Sequence, residues 1–238
     1  MIKIPRELEL AWRDVREKIV RGLREYFFEN EFEKAVIGIS GGLDSAVTAY
    51  LAEKAVGREN LLGVLLPELY VTPRLDVEDA RNVVQNLGIE SITIEISKIV
   101  KDFIQSYPLI DENEIAKANM KARVRMVYLY AIANSRRGTV IGTSDRSELL
   151  LGYFTKYGDG GVDIEPIGDL YKTQVRKLGE YLGVPEKILL KKSSPALLPG
   201  QTAESELGFN YEVADLVLFY RFDKGLSKEE ITIIEGKK

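Results

Sequence analysis

The sequence predicts an α/β fold with a doubly wound, mostly parallel, five-stranded sheet and helices on both faces. Short apolar runs such as Leu61 to Leu66 have the continuous apolar character of strands that are buried on both sides. Segments with helical spacing separate these runs, and such alternation favours a parallel sheet that binds ligands beyond the carboxyl ends of its strands. No Pro-, Gly- or Ser-rich linker interrupts the chain, so we expect residues 1–238 to form one domain.

The elements follow one another in a regular order. Apolar residues three or four apart predict a first amphipathic helix from about Pro5 to Phe28. The predicted strands are Ala35 to Ile39, Leu61 to Leu66, Ser91 to Ile96 and Thr139 to Gly142. The later predicted helices are Ser45 to Val56, Asp76 to Leu87, Ser97 to Gln105, Glu112 to Asn134 and Tyr171 to Leu182. A long irregular stretch is expected from Lys191 to Gly208, and such stretches are usually functional or mobile.

Composition excludes several classes of chemistry. The chain has no Cys and no His, which removes thiol nucleophiles, His general bases, disulfides and Cys/His zinc sites. A net charge of −4 gives no bulk attraction to nucleic acid, so no nucleic-acid partner is expected. The apolar runs are shorter than the roughly 20 residues of a membrane span. Because Met1 to Leu10 lacks a signal-peptide core, we expect a cytoplasmic protein without membrane contact.

A glycine-rich loop lies between the first predicted strand and the next helix. Two adjacent glycines permit backbone conformations that turn successive N–H groups toward one anion, and the helix N-terminus adds its positive dipole end. The pattern predicts a phosphate-binding loop, and the plainer alternative is a strand-turn-helix corner capped by a serine. The loop residues are Gly38, Ile39, Ser40, Gly41, Gly42, Leu43, Asp44 and Ser45.

Asp44 stands where a Walker phosphate loop has a lysine. A carboxylate does not bind phosphate directly, but it binds a hard cation such as Mg²⁺, which in turn binds phosphate oxygens. Glu148 follows the strand Thr139 to Gly142 and could complete the metal shell with Asp44. A helix start capped by Ser144 or Asp145, with Glu148 as capping-box partner, is compatible with that role. We therefore interpret the loop as a Mg-nucleotide site.

Two further positions carry candidate ligand groups on helices. Asn119 and Arg123 are four residues apart and share one helix face, so they can offer a donor pair to a phosphate or carboxylate. A charged run is more often a solvated face, which is the alternative for this pair. Lys172, near a helix start, is either a phosphate ligand or a surface charge.

The run Gly152 to Asp163 combines glycines, aromatic residues and charges, which is poor material for a buried core. It is typical of a ligand loop in which aromatic rings such as Phe154 stack on a flat group, while Lys156 and Asp163 fix polar groups. A simple hairpin turn is the alternative interpretation.

The segment Ser40 to Ser45 resembles the SGGxDS signature of the PP-loop ATP pyrophosphatases. From about Val36 to Gly208 the chain is similar to the ammonia-dependent NAD⁺ synthetases of that superfamily, in an archaeal-like form. The resemblance implies an adenine nucleotide alpha hydrolase-like fold. Its most specific segments are Lys121 to Met126, Gly152 to Asp163 and Pro166 to Gln174.

The resemblance also implies roles for individual residues. Asp44 and Lys172 would be catalytic, and Asp44 with Glu148 would hold Mg²⁺. ATP would bind at Gly38 to Ser45, Thr143, Lys172 and Ser194. Deamido-NAD⁺ would bind at Arg123, Lys156, Asp163, Phe154 and Asn119. Family members are homodimers whose dinucleotide site lies at the subunit interface, which implies a homodimer here.

The implied reaction has two steps. The nicotinate carboxylate of deamido-NAD⁺ attacks the α-phosphate of ATP and releases pyrophosphate, and ammonia then converts the adenylated intermediate to the amide. No protein nucleophile is required, which agrees with a chain that lacks Cys and His. Catalysis would rest on positioning and on charge neutralisation by Mg²⁺, Lys172 and loop amides.

The chain departs from the family pattern at three places. Ser194-Pro195 replaces a Thr-Ala pair. Bacterial members carry a His in the segment that matches Asp145 to Glu148, and in this chain Arg146 lies nearby instead. The family pattern includes a C-terminal His-Lys segment that closes over deamido-NAD⁺. The given residues, which end with Glu235 to Lys238, show no counterpart of it, so we expect weaker closure over the substrate. Two alternatives follow: another PP-loop amide ligase, such as a GMP synthetase-like enzyme, or an inactive nucleotide-binding homodimer module.

Overall fold

The computed structural model describes residues 2, 4–194, 197 and 202–235. Within this part of the chain the sheet has four parallel strands in the order β3-β2-β1-β4. Val36 pairs with Leu62 on one side and with Val140 on the other, which makes β1 and β2 the interior strands. The strands are β1 (Lys34–Gly38), β2 (Leu61–Leu65), β3 (Glu90–Thr93) and β4 (Gly138–Ile141).

Helices cover both faces of this sheet. The longer ones are α1 (Trp12–Glu29), α2 (Leu43–Val56), α3 (Arg74–Leu87), α4 (Ser97–Ser106) and α5 (Glu114–Ser135). They are followed by α6 (Arg146–Leu151), α7 (Lys172–Leu182), α8 (Glu186–Leu189), α9 (Ala203–Leu207), α10 (Tyr211–Leu218) and α11 (Lys228–Glu235). The predicted doubly wound α/β class is confirmed.

Two apolar layers lie on opposite sides of the sheet because alternate strand residues point in opposite directions. Ala35 and Ile37 of β1 pack in a core with α1, α2, α3, α7 and α8. Val36, between them, packs in a second core with α4 and α5. All three side chains are fully buried, as the continuous apolar runs predicted.

The prediction of five strands is wrong for the described residues. Beside β4 the chain forms one isolated parallel bridge, Ile141 with Ile164, supported by the bond from the Gly142 N–H to the Ile164 carbonyl at 2.8 Å. Pro166 follows two residues later and has no N–H, so it cannot donate the next bond of a ladder. The segment therefore leaves the sheet after one contact.

Several predicted boundaries also change. The first helix begins at Trp12, because Arg6–Leu8 forms a separate 3-10 turn. Helix α2 begins at Leu43, so the last loop residues already belong to its first turn. The stretch predicted to be irregular contains α9, while Pro195 and Gln201 within it lie outside the described residues, as do Gly236 to Lys238. Among the described helices, none combines the length and apolarity that crossing a membrane requires.

Candidate active site

A cleft of about 770 Å³ opens at the carboxyl ends of β1, β2 and β4. Its volume lies within the usual range of small-molecule sites, roughly 300 to 1,000 Å³. The glycine loop forms one wall, and apolar residues of α5 such as Ala122 and Met126 form another. Among the residues singled out from sequence, the cleft is lined by Gly38, Ile39, Ser40, Gly42, Leu43, Asp44, Ser45, Asn119, Thr143, Glu148, Phe154 and Ser194.

Short contacts fix the shape of the glycine loop. Gly41 has a φ of +83°, and a Cβ atom there would lie 2.1 Å from the Asp76 carbonyl oxygen of α3. Ser45 Oγ accepts the Ser40 N–H at 3.2 Å, and the Gly42 N–H donates to Ser40 Oγ at 3.2 Å. No side chain caps the N-terminus of α2, so its first N–H groups remain available to an anion.

A lysine surrounded by three carboxylates lies next to this loop. Lys172 Nζ is 2.8 Å from Asp44 Oδ2, 2.9 Å from Asp145 Oδ2 and 2.8 Å from Glu148 Oε1. Lys172 and Asp145 are completely buried, and the Asp44 and Glu148 side chains are about one-fifth exposed. Lys172 is therefore not a surface charge, and it joins the two residues predicted to hold Mg²⁺.

Burial perturbs the pKa of two acids of the cluster, Asp145 and Glu148. Burial raises the pKa of the Glu148 carboxyl to about 8 and that of Asp145 to about 6, although Lys172 opposes both shifts. Burial disfavours the charged form of Lys172, but the three carboxylates outweigh it and raise the pKa of its ammonium well above the ordinary value. Lys172 is accordingly a permanent positive charge.

Helix α6 presents Glu148 to the cluster through the predicted capping box, which is confirmed. Asp145 Oδ1 accepts the Glu148 N–H at 2.9 Å, and Glu148 Oε2 accepts the Asp145 N–H at 3.2 Å. Glu148 thus uses one oxygen at the helix start and the other at Lys172. The capping role and a role in the cluster coexist, as the sequence suggested.

The carboxylates around Lys172 suit a divalent cation in two respects, their negative charge and one oxygen atom that is available as a ligand. Asp44 Oδ1 is buried and accepts no hydrogen bond from the described residues, and the surplus of negative charge would be relieved by a cation. Throughout the described ranges, however, no group of three or more acidic side chains forms a ready cage for a metal ion. Asp44, Asp145 and Glu148 do not form such a cage because the ammonium of Lys172 lies between their carboxylates.

Two residues expected at the dinucleotide lie in the cleft. Asn119 and Phe154 both line it, and Asn119 Oδ1 accepts a hydrogen bond from Thr155 Oγ1 at 2.7 Å. That bond joins α5 to the loop Gly152 to Asp163 and leaves the amide nitrogen of Asn119 for other partners. In the described part of the chain this loop does not join two paired strands, so it is not the simple hairpin that was its alternative.

Arg123, Lys156 and Asp163 lie outside the cleft wall. Arg123 Nε and Nη2 both donate to the Lys156 carbonyl oxygen at 3.2 Å. Asp163 Oδ1 accepts from Tyr130 at 2.8 Å, and its Oδ2 accepts from Thr139 Oγ1 and from the Val140 N–H. Asp163 therefore already links its loop to β4. Arg123 and Asn119 contact neighbouring residues of that loop, and of these two helix residues Asn119 alone lines the cleft.

Reasoning from sequence missed several residues of the site. Arg125 lines the cleft, donates from Nε to the Leu66 carbonyl at 3.1 Å, and has a buried Nη1 without a hydrogen-bond partner. Tyr211 of α10 places its ring 5.4 Å from Lys172 Nζ. Arg125 carried a signal, since it lies within a basic cluster of one helix, but nothing near Tyr211 in the sequence pointed to Lys172.

The geometry defines an α/β protein with a glycine loop and a buried lysine-carboxylate cluster at the carboxyl edge of its parallel sheet. A family model described as NAD synthase matches residues 15–237. The chain therefore belongs to the NAD synthase family.

Individual relatives agree with this assignment. The NH(3)-dependent NAD(+) synthetase of Saccharolobus solfataricus is 49% identical over 235 residues, which are 98% of this chain and 83% of the relative. That of Staphylothermus marinus is 47% identical over 232 residues, 97% of this chain and 84% of the relative. The solved structure of NMN synthetase from Francisella tularensis is 37% identical with a TM-score of 0.83, covering 96% of this chain and 94% of that one. Neither a different PP-loop ligase nor an inactive module is favoured.

Proposed function

We propose that this chain catalyses the ATP- and Mg²⁺-dependent amidation of deamido-NAD⁺ with ammonia, giving NAD⁺, AMP and pyrophosphate. The observation that carries the proposal is the completely buried ammonium of Lys172 beside the glycine loop, held by Asp44, Asp145 and Glu148. Support comes from relatives that are 47–49% identical over nearly the whole chain and are named NH(3)-dependent NAD(+) synthetases.

The glycine loop and the N-terminus of α2 would bind the pyrophosphate part of ATP, with Thr143 and Ser194 completing the nucleotide site. Asp44 and Glu148 would hold Mg²⁺, which when bound would neutralise phosphate charge and polarise the α-phosphate. Lys172 would stabilise negative charge that develops on the phosphate in the transition state. Asp145 would keep Lys172 in place, because Asp145 is the completely buried one of the three acids that contact this lysine.

The acceptor would enter from the side of α5. Asn119 and Phe154 would contact it within the cleft, and Arg123, Lys156 and Asp163 would bind it farther out. The nicotinate carboxylate oxygen would form a bond to the α-phosphorus as the bond to pyrophosphate breaks. Ammonia would then attack the activated carbonyl carbon, lose a proton to solvent and expel AMP.

The further assignments of one domain, a cytoplasmic location and a homodimer belong to the same proposal. The dimer is supported by exposed apolar side chains on α5, where Ile115 is 75% and Val127 60% exposed. The chain is expected to use free ammonia or ammonia supplied by another protein.

The test is pyrophosphate release from Mg-ATP and ammonium, measured with deamido-NAD⁺, nicotinate mononucleotide, xanthosine monophosphate or no acceptor. We expect release with deamido-NAD⁺, in equal amount to the NAD⁺ formed and dependent on Mg²⁺. Release with xanthosine monophosphate alone, or ATP binding without release for any acceptor, would contradict the proposal.

Nicotinate mononucleotide is the second candidate acceptor. The specific reason is the Francisella tularensis structure, whose protein is named NMN synthetase and matches 96% of this chain. The two acceptors share the nicotinate carboxylate and differ in the adenylate half, so the ratio of their kcat/KM values decides between them. Deamido-NAD⁺ is expected to be preferred.

A further inference from the structure

Four charged side chains form a cluster beneath the glycine loop that the proposed chemistry does not use. They come from α3, from α8 and from the segment that follows α8. Asp79 is 7% exposed at its side chain and pairs with Lys187 and with Lys191. Among the described residues Asp76 pairs with Lys191 alone, at 2.8 Å. Two carboxylates and two ammonium groups balance one another here.

Lys191 also reaches the loop itself. Its Nζ donates to the Gly41 carbonyl oxygen at 2.9 Å, to Asp76 Oδ1 at 2.8 Å and to Asp79 Oδ2 at 2.6 Å. An ammonium has three N–H groups, and each of them has an acceptor. Lys191 lines the cleft, yet it has no N–H left for a phosphate in this arrangement.

We propose that Lys191 is a positioning residue that holds the glycine loop in its anion-binding shape, by joining the Gly41 carbonyl to the Asp76 and Asp79 carboxylates of α3. This inference rests on the proposed function, because it concerns how the same site binds the phosphates of ATP. Lys187 contacts Asp79 but not the loop, so it lacks this role.

The contact acts on the most constrained peptide of the loop. Gly41 has a positive φ and already lies against the Asp76 carbonyl oxygen. Lys191 holds the Gly41 carbonyl together with two carboxylates of α3, so it links the loop to that helix through hydrogen bonds. The orientation of the loop N–H groups is therefore set before any ligand arrives, which lowers the ordering cost of anion binding.

Lys191 has a second effect through charge. Asp76 lines the same cleft as the loop, and its carboxylate would repel the phosphates of ATP if it were unpaired. Burial lowers the pKa of the Lys191 ammonium, but its bonds to Asp76 and Asp79 outweigh this and raise it, so the lysine stays charged. Removal of Lys191 is thus expected to weaken ATP binding both by loosening the loop and by exposing a negative charge.

The experiment compares Lys191→Met with the matched control Lys187→Met in the full chain. The dissociation constant of Mg-ATP is measured by calorimetry without acceptor, and the Tm of each variant is recorded. We expect Lys191→Met to bind Mg-ATP about tenfold more weakly or worse, and Lys187→Met to stay within about twofold of the wild type. In turnover, the KM for ATP should rise in Lys191→Met while the KM for deamido-NAD⁺ does not.

A rescue variant separates the charge effect from general damage. Asp76→Asn removes the carboxylate that Lys191 alone neutralises, so Lys191→Met/Asp76→Asn should bind Mg-ATP more tightly than Lys191→Met. Equal weakening by the two lysine variants, an unchanged dissociation constant in Lys191→Met, or no rescue would overturn the inference. If the wild type binds Mg-ATP but forms no NAD⁺, the proposed function fails while the comparison of variants still decides the role of Lys191.

Discussion

Lys172 is a charged side chain without solvent exposure, and this is possible because three carboxylates lie within 3 Å of its nitrogen. Burying an ion is costly unless it is paired. The pairing here is unequal, since the acids outnumber the lysine. Lys172 opposes the rise in the pKa of Asp145 and Glu148 that burial causes, and the excess of acids over lysine favours a cation at this place.

Replacing Lys172 by Met is expected to abolish activity and to destabilise the fold. Pyrophosphate release should fall by at least about 100-fold, because a charge that stabilises the transition state is lost. The free energy of unfolding should fall by about 3 to 5 kcal/mol, because buried acids lose their partner. Steady-state kinetics and urea unfolding measure the two effects.

Lys177→Met is the control on the same helix, where Lys177 pairs with Glu180 and with the Ile2 carbonyl near the surface. It should retain activity and lose at most about 1 kcal/mol. Near-normal turnover in Lys172→Met would remove Lys172 from the mechanism.

The loop glycine Gly41 supplies a second test at the scale of one residue. Gly41→Ala adds a Cβ both at a positive φ and against the Asp76 carbonyl, whereas Gly183→Ala has a φ of +79° with nothing within 4 Å. We expect Gly183→Ala to cost about 1 kcal/mol and Gly41→Ala to cost more, about 2 to 3 kcal/mol. Only Gly41→Ala should raise the KM for ATP. Equal losses of stability and equal KM values would show that the contact with α3 is unimportant.

Among the secondary-structure elements, α10 supports Lys172 from outside the sheet. Asp215 Oδ1 accepts from Ser147 Oγ at 2.6 Å, and its Oδ2 accepts from the Thr173 N–H at 2.8 Å and from Thr173 Oγ1 at 2.7 Å. Ser147 Oγ in turn accepts the Lys172 N–H at 2.9 Å. One completely buried carboxylate therefore joins the first turns of α6 and α7, which carry Glu148 and Lys172.

Asp215→Ala is expected to disturb the site without touching a substrate. Buried donors on Ser147 and Thr173 would lose their acceptor, which costs about 1 to 3 kcal/mol for each unsatisfied group. kcat should fall, because the lysine and Glu148 lose their common support, and Asp215→Asn should give an intermediate loss because it keeps one acceptor oxygen.

The control for this prediction is Glu212→Gln, also on α10, whose carboxylate pairs at the surface with Arg176. It should change neither kcat nor the midpoint of unfolding by a measurable amount. A loss of stability in Asp215→Ala with full kcat would mean that α10 supports the fold and not the lysine.

At the scale of the whole molecule, buried acids near the cleft make stability depend on pH. Burial raises the pKa of Glu165 from 4.5 to about 8, against the lowering effect of its bond from the Ser144 N–H. Between these two values the folded chain holds a proton that the unfolded chain releases, so stability falls as pH rises through this window.

Glu165→Gln removes this ionisation while it keeps an acceptor for the Ser144 N–H. Relative to the wild type, the variant should gain stability as pH rises from 5 to 9, by up to about 4 kcal/mol. Urea midpoints at several pH values measure the gain. Glu25→Gln, at an exposed position of α1, is the surface control and should change the free energy of unfolding by no more than about 0.5 kcal/mol. A constant difference for Glu165→Gln would contradict the raised pKa.

How much was predictable depends on how far apart the interacting residues lie in the chain. The strands, the main helices, the capping box and the glycine loop were predicted well, because hydrophobic period, turn residues and capping act within a few neighbouring residues. The count of five strands was wrong, since the sequence located four and the described residues form four. Beside β4 a single bridge joins Ile141 to Ile164, and pairing between such distant segments is not visible in the local pattern. Asp163 was predicted as a ligand group, and its bonds to β4 appear only once the strands are assembled.

The sequence by itself determined the α/β class, the position of the anion-binding loop and the family resemblance, because each of these is written in contiguous residues. Only the tertiary structure decided which charges meet. Lys172 comes to lie against Asp44 and Glu148, and Lys191 against Gly41, because the parallel sheet brings the ends of separate strands to one edge. Charged residues that remain on solvated faces are of the same types as those that meet in these clusters. Only their burial in the folded structure distinguishes the clustered charges from the solvated ones.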